Sequence, residues 1–277
     1  MNERDATDTP PVPPHLFSVV GSAKSAFGFI ADEWRYLARL AAPVIFLQIG
    51  LSVGYTLFKD WRGTPENGFE QFLWDLPGAV MMGWFICSLA RLIIFGEKLT
   101  NLPLRDIRFM QYRAELTRTA IFLFLLIKAV LVVITTGLGG MMGSLEEMSK
   151  TAGAEAVPGY MPPLIIFMLV VIFWSMRFIV TPLLVAVDYP LGTFLRQARG
   201  FMFSLRLIGL TILCAFPVLF VFNLIFALMI PDPQQMSQMQ IMTVMVLNKP
   251  AALLTAALIN AGYVFALTEM LGRNKQI

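Results

Sequence analysis

The sequence predicts an all-α, polytopic integral membrane protein with six transmembrane helices and cytoplasmic interfacial amphipathic helices. Three observations lead there. Composition is the first: 57% of the residues are hydrophobic and only 14% are charged, and mean hydropathy is +0.70. That is too apolar for one water-soluble core, so the bilayer must serve as solvent. The second is a set of six apolar runs, each close to the roughly 20 residues that a helix rising about 1.5 Å per residue needs to cross ~30 Å of hydrocarbon. The third is the placement of Lys and Arg, which crowd into alternate loops.

The expected spans are 40–58, 76–95, 119–142, 162–187, 205–230 and 250–271, inside a single membrane domain of residues 15–277. Residues 1–14 are acidic and carry Pro10, Pro11, Pro13 and Pro14. They lack the basic stretch and apolar run of a signal peptide, and are expected to be a disordered, uncleaved cytoplasmic tail. His15 has no partner in sequence and receives no role. Cys87 and Cys214 both lie within apolar runs, as buried small side chains do, and neither a disulfide nor a metal is expected.

Orientation follows from basic residues near span ends. Arg4, Lys24, Arg35 and Arg39 precede the first span. Lys98, Arg105, Arg108, Arg113 and Arg118 follow the second, Arg196, Arg199 and Arg206 follow the fourth, and Arg273 and Lys275 close the chain. The opposite side has Lys59, Arg62, Lys150 and Lys249 among eight acids, from Asp60 to Asp232. Both termini are therefore expected in the cytoplasm.

Each odd-numbered span is preceded by a segment that mixes basic residues with an apolar stripe at helical spacing. The stripes are Val20, Ala23, Phe27, Ile30 and Trp34, then Leu104, Ile107, Met110 and Leu116, then Leu191, Phe194, Leu195, Ala198, Phe201, Met202 and Leu205. Such helices lie in the headgroup plane. Arg91 and Arg177 each stand fifteen residues past an expected span start (76 to 91, 162 to 177). The chain thus has the outline of duplicated hairpins.

Both arginines come out about 22 Å from the outer face at the helical rise. An intramembrane charge must snorkel, pair or meet a headgroup. Glu269 on the last span is the expected ion-pair partner, with Asp188 second. Arg91, Arg177, Arg196, Arg199 and Arg206 are the candidate contacts for an anionic headgroup or ligand. Lys128 lies nine residues into the third span, about 14 Å deep, where snorkelling is hard. Gln48 and Asn260 fall at similar depth, and the three are expected to form a midplane polar cluster.

Gly50 with Gly54, Gly139 with Gly143, and Ala252 with Ala256 have the small-residue spacing of close helix packing, including self-association into a homo-oligomer. Pro182 and Pro217 are expected to kink or end their spans, and Trp61 and Trp74 to anchor the first external loop. No phosphate-binding loop, HExxH or GxSxG motif occurs, and one histidine with scattered acids supplies no catalytic constellation. Neither an enzyme nor a cofactor is expected, and nucleic acid is not an expected partner.

The run from Phe173 to Asp188, with Leu191 to Phe194, Arg196, Arg199, Gly200 and Arg206 to Leu210 behind it, resembles the YciC-like bacterial membrane proteins and the membrane domain attached to some glycerophosphodiester phosphodiesterases. Arg177, Pro182, Arg196, Arg199 and Arg206 are the matching positions, over about a fifth of the chain. The family's usual tryptophan in the basic segment is replaced by Phe194 or Phe201. The resemblance implies a multi-pass protein of the bacterial cytoplasmic (inner) membrane and carries no catalytic residue over. The amphipathic basic segments and the matched depths of Arg91 and Arg177 give the expected role, which is contact with anionic phospholipid headgroups or membrane organisation without catalysis. The alternative is a small-molecule transporter or permease subunit that uses the midplane polar site.

Overall fold

The computed structural model describes residues 17–63, 68–102, 106–152, 161–198, 200–229 and 238–270, and these are helical with no strand among them. The helices are α1 (Val19–Asp32), α2 (Trp34–Arg62), α3 (Gly68–Phe95), α4 (Ile107–Ala152), α5 (Met161–Ser175), α6 (Thr181–Ala186), α7 (Leu191–Gln197), α8 (Phe201–Met229) and α9 (Gln238–Met270), with 3-10 turns at Leu99–Asn101 and Met176–Val180. Within the described residues five helical stretches are long and apolar enough to cross a membrane: Trp34–Arg62, Phe69–Phe95, Ile107–Ile134, Phe201–Leu228 and Val246–Met270. The chain has the build of a multi-pass membrane protein.

The fourth expected span is not one straight helix, because α5 passes into the 3-10 turn and then into α6. Pro182 explains the break. Its nitrogen cannot donate to the carbonyl of Phe178, which accepts from the Thr181 N–H and, at 2.6 Å, from the Thr181 hydroxyl instead. By contrast Pro43, Pro77, Pro217 and Pro250 all lie inside continuous helices. Pro217 therefore does not end its span.

Two of the interfacial helices also differ from expectation. No helix breaker separates residues 107–118 from the third span, so that segment is simply the start of α4. The stripe from Leu191 to Leu205 is cut at Gly200, whose φ of +124° suits glycine alone. As a result Phe194 and Ala198 are buried against the protein while Phe201, Met202 and Leu205 are exposed on α8. Helix α1 does form a separate unit, capped by the Ser18 hydroxyl, which accepts from the Gly21 N–H at 3.1 Å. It packs on α8 and α9 through Ser22, Ala23 and Ala26, with Phe17 just before it, and leaves Val20 exposed, while Trp34 of the expected stripe opens α2 and is exposed there.

Buried side chains gather toward one end of the bundle. They come from the start of α2 (Leu37, Leu40, Val44), the end of α3 (Phe85 to Ile93), α6, the start of α8 (Phe203 to Cys214) and the end of α9 (Leu253 to Leu267). Beyond Cys214 the same α8 presents Phe216, Leu219, Phe220, Leu224 and Leu228 at the surface, as a lipid-facing helix does. Close approach of α8 and α9 depends on Gly262, where an added Cβ would lie 3.1 Å from the Cys214 sulfur and 3.3 Å from Leu210. Gly50 has no neighbour within 4 Å, and Gly54 only Trp74 at 3.9 Å. The expected pair is thus not a packing face inside the chain. The environments of Gly139 and Gly143 lie outside the described residues.

Candidate functional site: a lysine cavity at the break in the fourth span

The polar groups fall into two sets, one that ties down the packed end and one that lines a cavity further along the helices. At the packed end Arg91 is 6% exposed, and its guanidinium is fully engaged by protein. Nε and Nη2 donate to the Glu97 carboxylate at 2.7 and 2.9 Å, and Nη1 donates to the Ala186 carbonyl at 2.7 Å. Arg113 Nε donates to the same carboxylate at 3.0 Å. Bonded by two cations, the Glu97 carboxyl is held below the usual glutamate range. The bond to Ala186 places positive charge at the negative end of α6, where a helix leaves its carbonyls unpaired.

Glu269 is therefore not the partner of Arg91. It accepts a bond from the Ser18 N–H at 3.0 Å and so tethers the start of α1 to α9. Asp188, whose φ of +57° turns the chain out of α6, accepts from the Tyr112 hydroxyl. Sequence spacing misses Glu97 because it lies just past the end of α3, where Gly96 reverses the backbone with φ +63° and returns it toward Arg91.

Arg177 is 7% exposed and takes a different set of partners. Nε donates to the Ser204 hydroxyl at 3.2 Å, Nη2 donates to the Gly200 carbonyl at 2.9 Å, and the guanidinium lies 4.0 Å over the Trp174 ring. It has no carboxylate partner among the described residues. Arg206 Nη1 donates to the Phe17 carbonyl at 2.5 Å, and Arg196 is exposed. Arg199, His15 and the 1–14 tail lie outside the described residues. Of the four described arginines, then, Arg91, Arg177 and Arg206 are engaged within the fold and Arg196 is exposed.

The second set answers the midplane expectation. Gln48 from α2, Lys128 from α4 and Asn260 from α9 line one cavity of about 430 Å³, bordered also by Met82, Phe124, Ile179, Pro182 and Tyr263. That volume lies within the roughly 300–1,000 Å³ of small-molecule sites. The three do not form the expected knot. Asn260 donates to the Ala256 carbonyl of its own helix at 2.7 Å, and among the described residues the half-buried Lys128 ammonium has no hydrogen-bond or ion-pair partner. Thr211 and Tyr263, a pair that sequence spacing does not connect, share a 2.6 Å hydroxyl hydrogen bond on the cavity wall.

The break in the fourth span opens here as well, since Met176 and Ile179 of the 3-10 turn and Pro182 of α6 are lining residues. Among the described residues no acid lines this cavity, and Asp75 of α3 acts on the Lys128 charge from outside it. A separate polar recess of about 150 Å³ is lined by Ser52, Tyr55, Gln71, Asp75, Asn248 and Lys249. It lies one turn further along α2, because Gln48, Ser52 and Thr56 share one helical stripe. Cys87 and Cys214 are both buried and free, and among the described residues no three His, Cys, Asp or Glu side chains gather as a metal site would need.

No protein-family model matches the chain, and neither the curated proteins nor the solved structures give a match.

Proposed function

We propose that this chain is a non-catalytic, multi-pass protein of the bacterial cytoplasmic membrane that holds a small anionic molecule in the Lys128 cavity. One observation carries the reading: a lysine in the middle of an apolar span faces a cavity of about 430 Å³ with no carboxylate among the described residues of its walls. A charge at that depth costs several kcal/mol unless something compensates it. The Gln48 and Asn260 amides can solvate the ammonium only in part, and a bound anion completes the compensation. The interrupted helix beside it supports the same reading, since broken spans recur where membrane proteins bind polar ligands.

The reading is tested on the purified full-length chain by native mass spectrometry of what it carries from the membrane. The wild type is expected to retain an anionic molecule that Lys128→Met loses and Lys128→Arg keeps, with all three eluting as the same folded species. Equal retention by Lys128→Met would remove the lysine from the site.

A second reading, passage of the anion across the membrane, is favoured by the polar recess around Asp75 and Lys249. That recess extends the α2 stripe of Gln48 and Ser52 from the cavity toward the far end of the bundle. Contact with anionic phospholipid remains part of the proposal at the basic end, through Arg196 and its surface neighbours, with Arg91 and Arg177 serving the fold instead. The basic loops put both termini in the cytoplasm. A reporter fused at Thr151 is accordingly expected to read as external, and a cytoplasmic signal there would overturn this orientation.

A further inference from the structure

The Lys128 cavity has an apolar annex. A groove of about 250 Å³ runs between α4 and the broken fourth span, lined on α4 by Leu123, Leu126, Val130 and Ile134 and across from it by Phe178. Ile127, Leu131, Met176 and Ile179 line both spaces, so the groove adjoins the cavity along these four side chains. Leu126, Val130 and Phe178 are 50%, 49% and 46% exposed, which opens the groove sideways, toward the lipid that surrounds an apolar helix.

Polarity therefore changes sharply over a short distance: a cation and two amides at one end, hydrocarbon walls at the other. We infer that the ligand of this site is a single-chain fatty acid, its carboxylate at Lys128 with Gln48 and Asn260 and its acyl chain in the groove between α4 and residues 176–181. This rests on the proposed anion site and specifies its occupant. Charge selects the head: the cavity offers one lysine, which a carboxylate of one charge balances, whereas a phosphate monoester carries roughly −1.5 to −2 at neutral pH. The described grooves contacting the cavity provide for one chain, where a diacyl lipid needs two. The groove's lateral opening gives the chain an entry from the bilayer, and a carboxylate is less costly to bring there than a phosphate monoester because it carries less charge.

Equilibrium binding of radiolabelled palmitate to the full-length chain in phosphatidylcholine nanodiscs tests this, with butyrate as a head-only competitor. Saturable binding of one palmitate per chain is expected, weakened at least about tenfold, or ~1.4 kcal/mol, by Lys128→Met and restored by Lys128→Arg. Val130→Trp, at a half-exposed position that faces only the groove, is expected to weaken palmitate to a similar degree while leaving butyrate competition unchanged. If butyrate binds as tightly as palmitate and Val130→Trp has no effect, the groove is unused and the fatty-acid assignment falls while the anion site stands. If neither carboxylate binds in a way that depends on Lys128, the fatty-acid assignment falls, and the anion site falls with it only if Lys128→Met also retains the anion that the wild type carries from the membrane.

Discussion

Replacing Glu97 by alanine is expected to destabilise the folded chain by about 3 kcal/mol, because one carboxylate serves two arginines. Arg91 and Arg113 share it, and their side chains are 7% and 14% exposed. Removing it leaves two guanidiniums side by side with no anion, and breaking a buried pair by deleting one partner costs roughly 3–5 kcal/mol. The lower end applies because Glu97 itself is 16% exposed. Reversible unfolding in mixed detergent micelles, followed by circular dichroism, measures the change.

The effect has a definite pH dependence. The folded-state pKa of Glu97 is lowered, so the carboxylate's contribution is fully present above the ordinary glutamate value and is lost as pH falls through the lowered one. The gap between wild type and Glu97→Gln should accordingly narrow on acidification and stay constant through neutrality. A Glu97→Ala chain within about 0.5 kcal/mol of wild type at neutral pH, the range of ordinary surface substitutions, would show that the three charges act as solvated surface groups.

Arg177→Met is expected to cost about 2–3 kcal/mol. Removing an unpaired buried charge could by itself be neutral or stabilising, so the sign depends on what the arginine leaves behind. It leaves the Gly200 carbonyl and the Ser204 hydroxyl without their cationic donor, and hydrogen bonds to charged groups are worth roughly 1.5–3 kcal/mol. The face of Trp174 loses its cation too, worth about 0.5–2 kcal/mol. Arg177→Lys keeps the charge but cannot fork between Ser204 and Gly200 while lying over the indole, and should recover less than half of the loss. Unfolding in the same micelles decides it. A stable Arg177→Met chain that no longer retains anionic phospholipid would return this arginine to the headgroup role that its depth in the span suggests.

These two arginines also mark how far the sequence can be read. The helix content and the depth of each polar residue along its span are legible, because apolar run length and the helical rise fix them; Gln48, Lys128 and Asn260 do meet in one cavity. What a residue faces at a given depth depends on rotation about the helix axis and on how the chain leaves the helix. Arg91 finds Glu97, a few residues ahead in sequence, because Gly96 turns the backbone back. Glu269, at a plausible depth, instead faces the N-terminus of α1. The same limit explains α7, whose stripe continues past Gly200 on a helical wheel although the backbone does not. The cavity's second wall, from Met176 to Pro182, is legible only as a proline. That the break opens a space next to Lys128 depends on tertiary packing.

A Lys128 cavity that anions can enter should discriminate between thiol reagents by charge. The most direct test is thiol labelling of Asn260→Cys in a chain carrying Cys87→Ala and Cys214→Ala, comparing an anionic with a cationic methanethiosulfonate reagent. The anionic reagent is expected to react faster, each rate taken relative to that with a free thiol, and Lys128→Met to abolish its advantage. Equal rates for the two reagents, or an anionic preference that persists in Lys128→Met, would contradict it.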